Sequence, residues 1–404
     1  MKIGIALYHT NPNSIKGLTV YTLSLLEGFI NVDKKNEYLL LVRPEDEKSF
    51  LKYEKLNFKI KPINGFSNKF RRKISYFLNN YIFIFPILRI FYSLIDKIFN
   101  TDIIHEVDAL KLDIVYFPSG ALFPININTT SAVSIHDIQY DHFPRFFNIF
   151  ERFGRETAHK ATVEKVAFIQ ASSEFSKKDF IRYFRTNPKK FVVIRDGVSK
   201  VFNSNYLIIK EKEEMRNKYK LPEQFVFYPA QHWQHKNHLT LLKAILQLKK
   251  EGLKIPIVLT GSLKTKGVNL VADSEKLGIR NLVTFLGNIP FEDILKIYKL
   301  ARIVCIPSLH ESNSLPLMEA LISGTATLAS DIEPNVEINS AGAITIFKQL
   351  DNIDLAEKMK NLFEENDLRE EKVKKGLEIA RNYSWENTAK NYIQVFEKTI
   401  NMLR

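Results

Sequence analysis

The sequence predicts an α/β protein made of two doubly wound domains, each with a mostly parallel sheet covered on both faces. Three observations lead there. Thirteen short apolar runs alternate with helix-length amphipathic stretches, the pattern of repeated βαβ units. Most runs are continuously apolar, as strands buried on both faces must be. The chain of 404 residues is long enough for two cores, and the pattern breaks near its middle.

At the amino end, Lys2–Tyr8 (KIGIALY) has one lysine and an apolar run too short for a signal peptide, so it reads as a first strand. Further strands are expected at Glu37–Arg43, Phe58–Pro62, Asp113–Phe117, Ser131–Ile135, Ala167–Ala171 and Phe191–Arg195. The pattern then lapses over 199–222. Asn203–Asn205 is turn-like, and a charged segment, Lys210–Lys220, stops at Leu221-Pro222. A second series follows at Gln224–Tyr228, Pro256–Thr260, Leu282–Phe285, Ile303–Ile306, Ala326–Ala329 and Ala343–Phe347. Residues 1–200 and 201–384 are therefore expected as separate domains. Trp385–Leu403 sets Trp385, Ala389, Tyr392, Val395, Phe396 and Ile400 at helical spacing, which requires a surface to cover them. Two facing sheets of this kind are expected to leave a ligand cleft at their carboxyl ends.

Lysine and arginine number 58 against 45 aspartates and glutamates, a formal charge of +13. That leaves nucleic acid, an anionic membrane surface or a negatively charged small substrate as partners. The excess is local: residues 51–100 hold 10 basic and 2 acidic side chains. Lys69, Arg71, Arg72 and Lys73 precede the aromatic-rich stretch Ile74–Phe99, which Asn79, Asn80, Arg89 and Asp96 make too polar to span a bilayer. It reads either as a helix lying in a membrane interface or as one buried against a sheet. Nucleic-acid binding is disfavoured, because no helix-turn-helix, zinc or aromatic-platform signature accompanies the basic block. The single cysteine, Cys305, excludes a disulfide framework and a Cys-rich zinc site, and reads as core packing in a protein of a reducing compartment.

The most informative segment is Ile303–Ala329 (IVCIPSLHESNSLPLMEALISGTATLA). A strand ends, a polar loop follows, and a helix from about Leu315 closes at Gly324. Glu311 precedes the helix and Glu319 lies about one turn inside it. Free N–H groups over Asn313–Leu317, with the helix dipole, would attract an anion. Carboxylates beside an anion site suit a ligand that offers phosphate and hydroxyls together, as a nucleotide-sugar does. The plainer alternative is one solvated loop glutamate and one on the helix surface.

Glu311-x7-Glu319, within PSLHESNSLPLMEALISGT, resembles the signature of family 4 retaining glycosyltransferases, the glycosyl transferases of group 1, with the GT-B fold. Six more segments keep the family's order: His136-Asp137 after a strand, Ser172–Ser176 (SSEFS), Val193–Val198 (VIRDGV), Phe227–His238 (FYPAQHWQHKNH), Ser330–Gly342 and Tyr383–Ala389 (YSWENTA). The resemblance implies two Rossmann-like domains, an acceptor-side domain over 1–200 and a donor-binding domain over 201–384, with 385–404 crossing back to the first.

The same resemblance implies that Glu319 accepts from the donor ribose, that Glu311 contacts the hexose and that Lys236 sits on the diphosphate. His136 would lie near the hexose and its 6-hydroxyl, and Gly17 matches a glycine-rich turn near the donor phosphate. Gln231 stands where the family usually has a second basic residue; His232 or His235 beside it would have to replace that charge. Ser312-Asn313-Ser314 replaces a glycine-rich loop, so donor contacts are expected from Asn313, Ser314 and Leu315. Trp233 would either line the nucleotide site or cap the cleft.

No Asp-x-Asp motif occurs, so no metal and no cofactor beyond the donor is expected, with Lys236 and the helix N-terminus countering the leaving charge. FYPAQHWQHKNH resembles the form seen in mannosyltransferases. The implied activity is hexosyl transfer with retention, mannose from GDP-mannose first, to a glycan or polyprenyl-linked acceptor of surface-polysaccharide (O-antigen, capsule or lipopolysaccharide) synthesis. The implied location is peripheral, on the inner face of the cytoplasmic membrane. A nucleotide-sugar epimerase or a phosphorylase would share the fold. From another class, a basic membrane- or nucleic-acid-binding protein without catalysis is the alternative.

Overall fold

The computed structural model describes residues 1–12, 17–67, 96–98, 100–198, 209–263, 265 and 267–404. They fall into two units, Met1–Gly197 with Trp385–Arg404, and Val198–Ser384. The basic cluster Lys69, Arg71, Arg72 and Lys73 lies outside the described residues, as does Ile74–Phe99 apart from 96–98. Asp96 is buried there, and its carboxylate accepts from the Ile125 N–H at 3.0 Å and from the amides of Asn100 and Asn126.

The first unit holds a seven-stranded sheet: β1 (Lys2–Ala6), β2 (Glu37–Val42), β3 (Phe58–Pro62), β4 (Ile114–Phe117), β5 (Ser131–Ser134), β6 (Phe168–Ala171) and β7 (Phe191–Val193). Its order is β3-β2-β1-β4-β5-β6-β7, and every pair is parallel. All residues of β4, β5 and β6 are buried, which is why those runs are apolar or small except at Gln170, whose amide donates to the Ile194 carbonyl at 2.6 Å. Along β2 the side chains alternate between two cores: Tyr38, Leu40 and Val42 join one, Leu39 and Leu41 the other. The first strand ends at Ala6 rather than Tyr8, because the chain turns at once and the Thr10 N–H donates to the Leu7 carbonyl at 2.8 Å.

Two helices lie on one face of this sheet, α1 (Gly17–Val32) near its start and a long helix, Trp385–Leu403, supplied by the end of the chain. The terminal helix buries Trp385, Ala389, Tyr392, Phe396 and Ile400; Val395 is only half-buried. Gly28 permits the approach, since a Cβ there would run into the Trp385 carbonyl and press on Ala389. At the centre of this face the hydroxyls of Tyr21, Tyr116, Ser134 and Tyr392 meet, every pair within 2.5 to 3.2 Å. Four hydroxyls have four protons, so no more than four of those contacts are hydrogen bonds at one time. The knot ties α1, β4, β5 and the terminal helix at one buried point.

The second unit holds a six-stranded parallel sheet: β8 (Val226–Pro229), β9 (Ile257–Thr260), β10 (Val283–Gly287), β11 (Ile303–Ile306), β12 (Ala326–Ser330) and β13 (Thr345–Phe347). Its order is β10-β9-β8-β11-β12-β13. The charged segment before Leu221-Pro222 forms a helix, Ile209–Tyr219, of which only Met215 is buried. It is pinned by Lys218, whose ammonium meets Asp293 at 2.7 Å. Cys305 is fully buried in β11, as core packing requires. No helix among the described residues is long and apolar enough to cross a membrane.

Candidate functional site

Each sheet reverses strand order beside its first strand, between β1 and β4 in one unit and between β8 and β11 in the other. Ligands of such sheets gather beyond the carboxyl ends of the strands at that point. In the second unit, the loops leaving β8 and β11 carry most of the expected site residues.

The two loops are laced together by backbone and side chain. The Leu309 N–H donates to the His235 carbonyl at 2.7 Å, and the Asn237 amide donates to the Pro307 carbonyl at 2.9 Å. Asn237 has a left-handed backbone, φ 55° and ψ 40°, which asparagine tolerates, and it opens the helix His238–Lys250. The Tyr228 hydroxyl donates to the Lys236 carbonyl at 2.9 Å. Lys236 is thereby held over the β11 loop, and its Nζ lies 2.6 Å from Glu311 Oε1, with side chains 13% and 10% exposed. Burial pushes the Glu311 carboxyl up, but the Lys236 charge and hydrogen bonds from Lys236 and Ser308 outweigh it, and the group is held below its ordinary range.

Glu319 projects from the short helix Leu315–Ile322 and accepts from the Tyr298 hydroxyl at 2.8 Å. Burial pushes its carboxyl up to about 7, against the lowering effect of that hydrogen bond. Two glutamates eight positions apart thus have opposite environments: Glu311 is charged and paired, while Glu319 is poised near neutrality.

The helix N-terminus offers fewer donors than the sequence led us to expect. Pro316 has no N–H, the Leu315 N–H is turned back to the Asn313 carbonyl at 2.9 Å, and the Leu317 N–H reaches the Ser314 carbonyl at 3.0 Å. Ser314 remains. It occupies the N-cap position, is fully buried, makes no capping bond, and its hydroxyl has no partner among the described residues. A buried hydroxyl left unpaired is a costly feature that a ligand could satisfy.

Around Gln231 the neighbouring loops converge. Its amide donates to Asn288 Oδ1 at 3.2 Å and its Oε1 accepts from the Ser262 N–H at 3.0 Å, joining the loops after β8, β9 and β10. Gly261, with φ +109°, lets the β9 loop come close, because a Cβ there would strike the Ala230 carbonyl. His232 does not replace the missing cation: it is buried, its Nε2–H donates to the Thr260 carbonyl at 3.1 Å, and burial lowers its pKa, so the ring is neutral. His235 is buried as well, and Trp233 stands 52% exposed with its ring centroid 5.5 Å from that of His235.

In the first unit, His136 lies two residues past the end of β5. Its Nε2–H donates to the Pro118 carbonyl at 2.8 Å, and its ring meets Tyr21 edge-on at 4.6 Å. Gly17 is the exposed first residue of α1, and a Cβ there would touch nothing, so the described residues give no steric reason for glycine at that position. His136 and Gly17 belong to the first unit; Gln231, His232, His235, Lys236, Glu311, Asn313, Ser314, Leu315 and Glu319 belong to the second. Sequence reasoning missed Tyr298, Ser308 and Asn288, none of which has a sequence signal beyond its type. No group of three or more metal-ligating side chains is assembled among the described residues.

Residues 210–378 match the family Glycosyl transferases group 1. A serotype-specific mannosyltransferase of Escherichia coli is 26% identical over 243 residues, 59% of this chain but only 30% of the relative's length. O-antigen chain mannosyltransferase B of Escherichia coli is 25% identical over 291 residues, 70% of this chain and 74% of that protein. Among solved structures, the Anabaena protein HepE, crystallised with UDP and glucose, superposes with a TM-score of 0.71 at 14% identity, covering 98% of this chain and 100% of that one. At that identity the likeness shows the fold, which is GT-B. Within that fold, residues 210–378 are a Glycosyl transferases group 1 domain.

Proposed function

We propose that this protein is a glycosyltransferase that moves a hexose, mannose from GDP-mannose in the first instance, onto a glycan or polyprenyl-linked acceptor of surface-polysaccharide synthesis. The transfer proceeds with retention and without a metal, on the inner face of the cytoplasmic membrane. The observation that carries the reading is the Lys236–Glu311 pair beside the N-terminus of the Glu319 helix, where Ser314 keeps an unpaired buried hydroxyl. The mannosyltransferases among its relatives support the choice of sugar.

Each side chain then has a task. A diphosphate outcompetes one carboxylate for the Lys236 ammonium, because it brings more negative charge to the same cation. Lys236 exchanges partners and stabilises the charge that develops on the leaving diphosphate. Glu311, released, accepts from hexose hydroxyls. Ser314 donates to a phosphate oxygen, and ionised Glu319 accepts from the ribose. The assignment of His136 to the hexose rests on the family resemblance alone.

The test is turnover with a panel of nucleotide-sugars, with and without lipid-linked glycan. Transfer from one donor, lowered about a hundredfold in kcat by Lys236→Met, is expected. No turnover with any donor, together with no nucleotide-sugar binding, would overturn the reading.

A further inference from the structure

The first turns of the helix Ile149–Lys165 leave large apolar side chains exposed. Its buried residues are Thr157, Thr162 and Val163, all beyond its first two turns. Those first turns present Ile149 at 62% exposure, Phe150 at 48% and Phe153 at 39%. The spacing of 149, 150 and 153 puts all three on one side. The start is not frayed, because a capping box holds it: Asn148 Oδ1 accepts from the Glu151 N–H at 2.9 Å, and Glu151 Oε2 accepts from the Asn148 N–H. A rigid helix end showing three large apolar side chains calls for a partner.

The surrounding charge selects among partners. Arg145, in the turn before the helix, and Arg152, three positions after Ile149, are exposed at the start of this helix, and no carboxylate pairs with either among the described residues; Arg155 falls on the opposite side of the helix, over the Phe147 ring at 5.1 Å. Of the nearby acids, Glu151 is committed to the cap and Glu156 to Lys160 at 2.6 Å. Arginine forks match phosphate oxygens, and phenylalanines flanked by cations suit the boundary between headgroups and acyl chains. Topology fixes where this surface lies within its unit. β6 runs parallel to β5, so the connecting helix runs back against both, and its N-terminal end stays at the carboxyl edge of the sheet. That is the edge His136 occupies.

We propose that the start of this helix docks on an anionic lipid bilayer, with Ile149, Phe150 and Phe153 entering the interface and Arg145 and Arg152 on lipid phosphates. The docking stands on these side chains; only its purpose, to present a lipid-linked acceptor at that edge, rests on the proposed function.

The test is co-sedimentation of the full chain with phosphatidylcholine vesicles, plain or doped with phosphatidylglycerol, without any nucleotide. The parent is expected to bind the doped vesicles and release at high salt. Ile149→Ser/Phe150→Ser/Phe153→Ser should weaken binding on the order of tenfold or more, and Arg145→Gln/Arg152→Gln should reduce the salt dependence. Both sets change exposed side chains, so thermal melts should match the parent. Unchanged vesicle binding by the apolar variant overturns the proposal, as does loss of binding only on neutralising Lys69, Arg71, Arg72 and Lys73. A parent that ignores vesicles but forms a dimer the apolar variant dissolves also overturns it, in favour of a self-association face. Vesicle binding lost in the variant, in a chain with no transferase activity, would uphold this inference while sinking the functional one.

Discussion

Lys236 and Glu311, 75 positions apart in sequence, close a 2.6 Å ion pair that is mostly withdrawn from water. Removing either partner leaves the other desolvated and uncompensated. Lys236→Met and Glu311→Gln are each expected to cost about 3 kcal/mol of folding stability, because breaking a buried pair strands a charge. The double variant should cost clearly less than the sum of the two, and urea unfolding of all four proteins measures the coupling. The pair also has a pH signature. Glu311 is held below its ordinary 4.5, so its contribution is present above that value and is lost as pH falls below it. Strictly additive losses would mean that the pair does not hold in solution.

Glu319 predicts the opposite trend for ligand binding. Its carboxyl is raised to about 7, and only the ionised form accepts two hydroxyls from a ribose. Affinity for a nucleotide-sugar, whose diphosphate diester does not itself titrate in this range, should rise roughly tenfold between pH 6 and pH 8. Tyr298→Phe removes the donor that favours the charged form, so the midpoint should move to higher pH. For folding the sign reverses. The folded state holds this proton more tightly than the unfolded chain, so the group favours the fold below about 4.5, and that advantage is lost as pH rises through 7. Calorimetric titration across that range is the check; a flat profile would remove Glu319 from the ribose.

Gly28 is expected to control the docking of the terminal helix. Even a methyl group there meets the Trp385 carbonyl, and helix backbones cannot separate without opening the face that buries Tyr392 and Phe396. Gly28→Ala gains about 1 kcal/mol in helix propensity, yet overpacking of this kind costs about 1–3 kcal/mol. The expected result is a lower melting temperature despite the better helix former. Chymotryptic cleavage at Tyr392 and Phe396, faster in the variant, would locate the loss.

Why was so much of the fold legible, and the pairing at the site not? Strands such as Ile303–Ile306 are buried on both faces, and burial on both faces writes a short continuous apolar run, which the helix-length stretches and turns on either side mark as a strand. Glu311 and Glu319 were legible because they flank one local strand-loop-helix unit. The Lys236–Glu311 contact depends instead on β8 and β11 lying side by side, and two intervening strands separate them in sequence. His232 looked like a cation because its type allows one; burial and a carbonyl acceptor decide otherwise, and neither is written locally. The free donors expected over Asn313–Leu317 were overcounted for a related reason. Pro316 is visible in the sequence, but the tight turns that consume the Leu315 and Leu317 N–H groups are not.

Ser314 separates a structural role from a ligand-binding one with a single hydroxyl. Its Oγ is buried and bonded to nothing among the described residues, so Ser314→Ala removes a group the free fold does not use. Deleting an unsatisfied buried polar atom relieves a desolvation penalty, and stability should hold or rise by about 1 kcal/mol. A capping serine would behave oppositely, with a loss of about 1 kcal/mol. If the hydroxyl waits for a phosphate oxygen, nucleotide-sugar affinity should fall roughly tenfold in the same variant, the worth of one hydrogen bond to a charged acceptor. Thermal unfolding with and without nucleotide-sugar reads both effects on one sample: an unchanged or raised melting temperature alone, and a smaller rise on adding the ligand. A variant that is destabilised yet binds as well as the parent would make Ser314 a helix cap and nothing more.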